Sequence, residues 1–122
     1  MNTWKILSFA AACSLAGCVQ QLVYPGTGTL ANAKLLGPVQ ACKGGNCCYE
    51  KDGHNHCEWP LSLKSSPPEF DVQYSLRQAA AKKYDLLSEK IVLDVINLKI
   101  TAEGDGTVRG WDATTTAYSK MD

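Results

Sequence analysis

The chain has 122 residues, of which 45% are hydrophobic, and its 12 basic side chains balance its 12 acidic ones. A neutral chain without a basic cluster does not suit a nucleic-acid partner. The length suits one domain with one modest core.

The amino-terminal segment has the features of a secretory signal peptide. Lys5 is its one charged side chain, and a mostly apolar run from Ile6 to Leu15 follows it. This run has the length of a signal h-region and is shorter than the roughly 20 apolar residues that span a bilayer. An anchor helix that is never cut is the alternative.

Leu15-Ala16-Gly17-Cys18 resembles the lipobox of bacterial lipoproteins, which is Leu, two small residues and Cys. The resemblance implies that the Cys18 thiol receives a diacylglycerol, that residues 1–17 are removed, and that the new amino terminus is acylated, for example by palmitate. In that family Asp after the Cys implies retention at the inner membrane. Val19 therefore implies the outer membrane. The domain is expected on the periplasmic face. Removing 17 of the 122 residues leaves 105.

Residues 18–29 are expected to be a lipidated tether, because Pro25, Gly26 and Gly28 disfavour regular structure. A single α+β domain is expected over residues 30–122. Its first apolar segment contains Pro38, which cannot donate a hydrogen bond to a neighbouring strand. We therefore predict a strand that is kinked at Pro38 or lies at the edge of a sheet.

Residues 42–57 form a cysteine-rich insertion with four of the six cysteines. Cys13 leaves with the signal and Cys18 is the lipidation residue, so four cysteines remain. An even number of cysteines in an oxidising compartment predicts two disulfides.

The hairpin signal Asp52-Gly53 favours one pairing of these cysteines. A two-residue type I′ loop there places Cys48 opposite Cys57, within disulfide range, and leaves Cys42 for Cys47. The crossed alternative joins Cys42 to Cys48 and Cys47 to Cys57. A bond between the neighbouring Cys47 and Cys48 would be strained.

The same insertion has a second interpretation, a metal site. His54 and His56 alternate onto one strand face, and Glu50 or Asp52 could add oxygen ligands. Imidazole suits zinc or copper. Oxidised cysteines could not ligate, and a Cys-x-x-Cys pair is missing, which also argues against a thiol-redox role. The preferred expectation is therefore two disulfides and no cofactor.

After the insertion, Trp59, Leu61 and Leu63 alternate as in an edge segment, and Ser66-Pro67-Pro68-Glu69 predicts a helix start. Ser66 would cap the helix, Pro67 would take its first position, and Glu69 would close a capping box. The helix is expected to end at about Tyr84 or Leu87. Its apolar residues recur on one stripe: Val72, Leu76, Ala79, Ala80, Tyr84 and Leu87.

The carboxy-terminal third predicts a β-hairpin. Residues 89–102 form a strand whose alternation changes phase near Val95-Ile96, which predicts a bulge or burial on both faces. Gly104-Asp105-Gly106 is a turn, and residues 107–118 return. Together the elements predict an α+β fold: a small two-layer βαββ sandwich with one helix on an antiparallel or mixed sheet, and the disulfide-rich hairpin as an insertion.

Three segments resemble small proteobacterial outer-membrane lipoproteins, the group of the Rcs envelope-stress sensor lipoprotein. They are Leu36-Gly37-Pro38-Val39 before a Cys, Leu76-Arg77-Gln78-Ala79-Ala80 leading into Ile91-Val92-Leu93, and Ala117-Tyr118. The resemblance implies the βαββ fold and, by analogy alone, a signalling role. Ser119 and Lys120 stand where the family often has a Cys, so the family's long-range disulfides do not carry over.

The expected function is that of a non-catalytic envelope lipoprotein that binds or signals to a protein partner. The sequence has no Ser-His-Asp pattern and no glycine-rich phosphate loop. Trp59 and Trp111 are the candidate contact surface. The alternatives are the metal site and an enzyme, which would need carboxylates such as Asp94, Glu103 and Asp105 gathered in one cleft.

Overall fold

A computed structural model describes residues 18–45 and 47–121 of the chain. The predicted signal peptide lies outside the described residues. One helix, antiparallel sheets and two disulfides in a hairpin region confirm the predicted α+β class. In the described ranges no helix is long and apolar enough to cross a membrane.

The larger sheet has five strands. Four of them are hydrogen-bonded in the order β1-β6-β7-β2, and β5 pairs with β7. A separate sheet pairs β3 with β4. The strands are β1 (Cys18–Tyr24), β2 (Ala33–Gly44), β3 (Cys48–Lys51), β4 (His54–Cys57), β5 (Ile91–Leu93), β6 (Ile96–Ala102) and β7 (Val108–Lys120).

The first strand corrects the prediction of a tether over residues 18–29. Residues 18–24 form β1, which lies at one edge of the larger sheet. Tyr24 is only 8% exposed, so its burial holds the end of the strand. Regular structure stops at Pro25, because Pro and the following glycines disfavour it. The prediction was therefore wrong before Pro25.

Strand β2 occupies the other end of the main strand order, which confirms the edge position predicted from Pro38. A missing backbone donor is tolerated there because the edge has no further strand to receive it.

The described chain divides into two compact units. The first contains residues 18–22, 42–45, 47–67 and 98–112, and the second contains residues 23–41, 68–97 and 113–121.

In the first unit, residues 58–63 lie along the start of β7. The N–H of Leu61 donates to the Arg109 carbonyl over 2.8 Å, and Leu63 pairs with Val108 as an isolated antiparallel bridge. These bonds agree with the prediction of an edge segment. Buried apolar side chains of the unit are Leu98, Ile100, Ala102, Val108 and Trp111.

The second unit contains the helix, α1 (Glu69–Tyr84), and its start differs from the prediction. Pro68 is the N-cap residue, with ψ of 144°, and no side chain caps the helix. Pro67 cannot be the first helical residue, because a following proline disfavours the α conformation. The capping box of Ser66 and Glu69 is therefore wrong.

The buried stripe of α1 agrees with the predicted periodicity at three of its six positions, whereas Leu87 lies beyond the helix and is 65% exposed. Val72, Leu76 and Ala80 are fully buried, and α1 contacts β5. The helix ends at Tyr84, because Asp85 adopts a left-handed conformation with φ of 56°. A short 3₁₀ turn, Ser88–Lys90, leads into β5.

The phase change predicted near Val95-Ile96 is a break between β5 and β6. Asp94 and Val95 belong to neither strand, and both carbonyl oxygens lie 2.9 Å from the Thr115 hydroxyl. The N–H of Asp94 donates to the Thr116 carbonyl. The break therefore shifts the alternation of buried residues between β5 and β6, while both strands remain paired with β7.

Candidate functional site

The disulfide hairpin, residues 48–57, has the register that its turn residues predict. Lys51 pairs with His54, Tyr49 with His56, and Cys48 with Cys57. Asp52 and Gly53 have φ of 55° and 78°, the positive values that a type I′ loop requires at both positions. A two-residue loop thus fixes which side chains stand opposite each other.

Two disulfides close this region. Cys48 bonds to Cys57, with Cα atoms 4.0 Å apart, and Cys42 bonds to Cys47, with Cα atoms 5.3 Å apart. These are the pairs that the hairpin register predicts, not the crossed ones. Cys42, Cys47, Cys48 and Cys57 are thus all oxidised.

The hairpin has no buried core of its own. All eight residues of β3 and β4 are exposed. A two-stranded hairpin of this kind is marginally stable in water. The Cys48–Cys57 bond is therefore the main restraint that holds the hairpin in one conformation.

The histidines share one face of the hairpin. Alternation along the strands places His54 and His56 on the same side as Tyr49 and Lys51. The rings of Tyr49 and His56 stack with centroids 5.5 Å apart.

Glu50 lies on the opposite face, paired with Asn55, so the proposed ligand set of His54, His56, Glu50 and Asp52 is divided. Among the described residues no group of three or more His, Cys, Asp or Glu is placed to hold a metal ion.

The two candidate contact residues have opposite environments. Trp59 is 90% exposed, whereas Trp111 is 2% exposed. The prediction of Trp111 as a surface residue is wrong, because Trp111 falls on the buried side of β7, in phase with Ala113, Thr115 and Ala117. Trp59 keeps its place as a candidate.

Two of the three carboxylates considered for catalysis, Glu103 and Asp105, are engaged in local structure. Glu103 forms an ion pair of 3.1 Å with Arg109. Asp105 accepts a hydrogen bond from the N–H of Thr107 over 2.9 Å, and this bond lowers the pKa of the carboxyl below its ordinary value.

The third carboxylate, Asp94, accepts from the adjacent N–H of Val95 over 2.7 Å. A general acid needs a raised pKa. The pKa of Asp105 is lowered, so Asp105 does not suit that role.

Arg109 is a residue whose role the sequence did not reveal. Its guanidinium donates to the Leu61 carbonyl over 3.1 Å and to the Ser62 hydroxyl over 2.9 Å. The ion pair with Glu103 raises the pKa of Arg109. Arg109 thus fixes the segment that follows the disulfide hairpin to the turn between β6 and β7.

An exposed pair of rings on α1 was also missed. Phe70 is 65% exposed and Tyr74 is 51% exposed, and their rings stack with centroids 6.3 Å apart. They are four residues apart and offset by two from the buried Val72 and Leu76, which places them away from the buried stripe. That spacing was a signal in the sequence.

The second unit has an open cleft of about 400 Å³ beside the loop that follows β1. Two of its lining hydroxyls serve the loop itself: Thr27 Oγ1 accepts from the N–H of Leu93 over 2.8 Å, and Thr29 Oγ1 accepts from the N–H of Ala31. Both hydroxyls therefore accept backbone hydrogen bonds that order this region, and the cleft is the space beside the loop.

Cys18, the residue of the lipobox-like motif, is the first residue of β1. Its lipidation remains a prediction. Comparison with protein-family models, with curated proteins and with solved structures finds no match for this chain.

Proposed function

We propose that this protein is a non-catalytic cell-envelope lipoprotein that is anchored to the outer membrane through lipid on Cys18 and acts by binding a protein partner. The pair of disulfides within residues 42–57 carries the proposal, because such bonds persist in oxidising compartments such as the bacterial periplasm. Leu15-Ala16-Gly17-Cys18 supplies a route to that compartment and an anchor within it.

The stacked rings of Phe70 and Tyr74 support a protein partner. Aromatic side chains are enriched in the centres of protein interfaces, and adjacent exposed rings provide apolar area that is already ordered. We therefore assign partner binding to this ring pair on α1. A signalling role would follow if the partner responds to that contact.

The test is photocrosslinking in a Gram-negative host that expresses the full chain. A photoreactive phenylalanine derivative replaces Phe70, and a matched derivative replaces Glu89, which is also exposed but lies outside α1. We expect one discrete adduct from position 70 that weakens when Tyr74 is changed to Ser. Equal adduct patterns from both positions would contradict a partner at the ring pair.

Metal binding at His54 and His56 is the second candidate function. The observation that favours it is their position on one face of β4, two residues apart. Titration with Zn²⁺ or Cu²⁺ should show binding that His54→Asn abolishes and that Glu50→Gln leaves unchanged, because Glu50 lies on the other face. Equal affinity in the His54→Asn variant would eliminate this candidate.

A further inference from the structure

We propose that the end of the larger sheet near Cys18 and the disulfide hairpin rests on the membrane, with Trp59 inserted among the lipid head groups. This inference rests on the proposed lipidation of Cys18. It assigns a lipid surface as the partner of Trp59, separate from the protein partner of the ring pair on α1.

The proposed lipidation residue is part of the folded sheet. Cys18 is itself the first residue of β1, and β1 is hydrogen-bonded to β6. A lipid on Cys18 would therefore be attached to a strand of the sheet and not to a flexible linker. Because a strand advances only about 3.3 Å per residue, the first residues of β1 must lie against the bilayer surface.

The disulfide hairpin lies at the same end of the sheet as the start of β1. Residues 18–22, which begin β1, belong to the first unit together with residues 98–102, which end β6. Since the sheet is antiparallel, β1 starts where β6 ends. A turn closed by the N–H of Glu103 and the carbonyl of Thr107 then leads into the start of β7.

The end of β2 lies beside that start of β7. The N–H of Gly45, which follows β2, donates to the Arg109 carbonyl over 3.1 Å. The N–H of Glu58 donates to the Cys47 carbonyl over 3.0 Å, which closes the base of the hairpin. The hairpin and the adjacent Trp59 therefore emerge from the end of the sheet where β1 begins.

The exposed side chains at this end of the sheet suit a membrane surface. Trp59 is 90% exposed, and Tyr49 and Val19 are each more than half exposed. Tryptophan and tyrosine are enriched at membrane–water interfaces, where the ring is partly apolar and its polar atom stays hydrated. A bilayer held against this end by the lipid would cover the ring that the fold leaves in water.

Charge favours an apolar contact over an electrostatic one. Residues 42–67 contain three lysines and three acidic residues, so this part of the unit has no basic patch for anionic lipid. An apolar contact is insensitive to salt, whereas attraction between exposed charges is screened.

The experiment uses the lipidated protein, purified from membranes and reconstituted into vesicles of phosphatidylethanolamine and phosphatidylglycerol. With residues 1–17 removed, the tryptophans are Trp59 and Trp111. The difference between the emission of the wild type and of Trp59→Phe isolates Trp59, and an exposed position makes this substitution harmless to folding. Intact mass spectrometry of the same sample reports whether Cys18 carries lipid.

We expect the Trp59 difference signal to shift to shorter wavelength on reconstitution, to lose several-fold in quenching by acrylamide, and to gain quenching by brominated lipid. High salt should not reverse these changes. The unlipidated Cys18→Ser protein, produced without residues 1–17 and mixed with the same vesicles, should keep the emission and the quenching of a hydrated Trp.

Three results would overturn the inference, and they can be told apart. If Cys18 carries lipid and Trp59 stays as accessible in vesicles as in the Cys18→Ser protein, the membrane contact is wrong and the proposed lipoprotein stands. Protection of Trp59 only in native envelopes, and not in vesicles, would assign this surface to a protein. A sample without lipid on Cys18 would overturn the proposed function itself.

Discussion

The Tyr84 hydroxyl donates a hydrogen bond to the Pro38 carbonyl, with an oxygen–oxygen distance of 2.9 Å. The Lys83 ammonium donates to the same oxygen, also over 2.9 Å. Pro38 lies on the edge strand β2 and has no N–H to offer, so the end of α1 takes up the acceptor that remains. At Pro38 the edge strand therefore has neither a free N–H nor a free carbonyl, which makes it a poor template for pairing with another chain.

Gly37 allows this arrangement, and its replacement tests it. Gly37 has φ of 143°, and a Cβ there would lie 2.5 Å from the Tyr84 hydroxyl oxygen. We expect Gly37→Ala to destabilise the fold by about 1–3 kcal/mol, because the backbone conformation is strained for any residue with a Cβ. In a Tyr84→Phe background the loss should be smaller, since the opposing oxygen is gone. Urea unfolding of the four proteins gives the coupling; equal losses in both backgrounds would exclude the contact.

The two tryptophans provide a matched pair for the assignment of core and surface. Trp111→Ala should cost about 3–5 kcal/mol of folding free energy, because it empties a buried site in β7. Trp59→Ala should change stability by no more than about 0.5 kcal/mol in the unlipidated protein, because the side chain is exposed. Chemical denaturation measures both; a large loss for Trp59→Ala would show that the ring packs on the fold.

The Cys48–Cys57 bond should order the hairpin without holding the larger sheet. In Cys48→Ser/Cys57→Ser we expect fast amide exchange over residues 49–56, because cross-linking a loop of this size contributes roughly 2–3 kcal/mol. Exchange of Leu98 and Ile100 should stay slow. Cys42→Ser/Cys47→Ser is the control, because it leaves the hairpin bond intact. Loss of protection in β6 together with the hairpin would contradict a separable hairpin.

We expect stability to fall at high pH because of Tyr24. Burial, and then the negative charge of Glu69, raise the pKa of Tyr24 above its ordinary value of 10.0. At a pH between the ordinary pKa and the raised pKa of the folded protein, Tyr24 has lost its proton in the unfolded chain but keeps it in the folded one. The free energy of unfolding therefore declines as pH rises above about 10. Tyr24→Phe should remove part of this slope and leave the slope between pH 7 and 9 unchanged. Identical slopes above pH 10 in both proteins would show that Tyr24 does not contribute.

Arg109 should matter more than its ion-pair partner. Arg109→Met removes the bonds to Leu61 and Ser62 and should speed amide exchange at Leu61 and Leu63. Glu103→Gln removes only a partly exposed ion pair and should have a small effect on the same amides. The two variants differ in which contacts they delete, so equal exchange in both would contradict the role of Arg109 in fixing residues 58–63.

Local chemistry accounts for the parts of the fold that sequence predicts well. Asp52-Gly53 defines a two-residue loop, and counting outward from it pairs Cys48 with Cys57 without any knowledge of the rest of the chain. The shift of alternation at Val95-Ile96 likewise marks the break between β5 and β6. In both cases the informative residues are neighbours in sequence.

Non-local pairing accounts for the parts that sequence missed. Strand β1 exists because β6, more than 70 residues later, offers it an edge, and nothing within residues 18–24 signals that partner. The fate of Trp59 and Trp111 depends on which strand faces are covered, which neither residue's neighbours reveal. The helix start was predictable in principle, since Pro68 restricts Pro67.

Intact mass spectrometry of the full chain, after expression and membrane isolation, reports both the lipid anchor and the oxidised hairpin of the proposed envelope protein. The sample is treated with a thiol label before and after reduction. We expect the mass of residues 18–122 plus a diacylglycerol and an amide-linked acyl chain, with no label before reduction and label on Cys42, Cys47, Cys48 and Cys57 after it. A chain that still begins at Met1, or a Cys18 that takes the label, would contradict it.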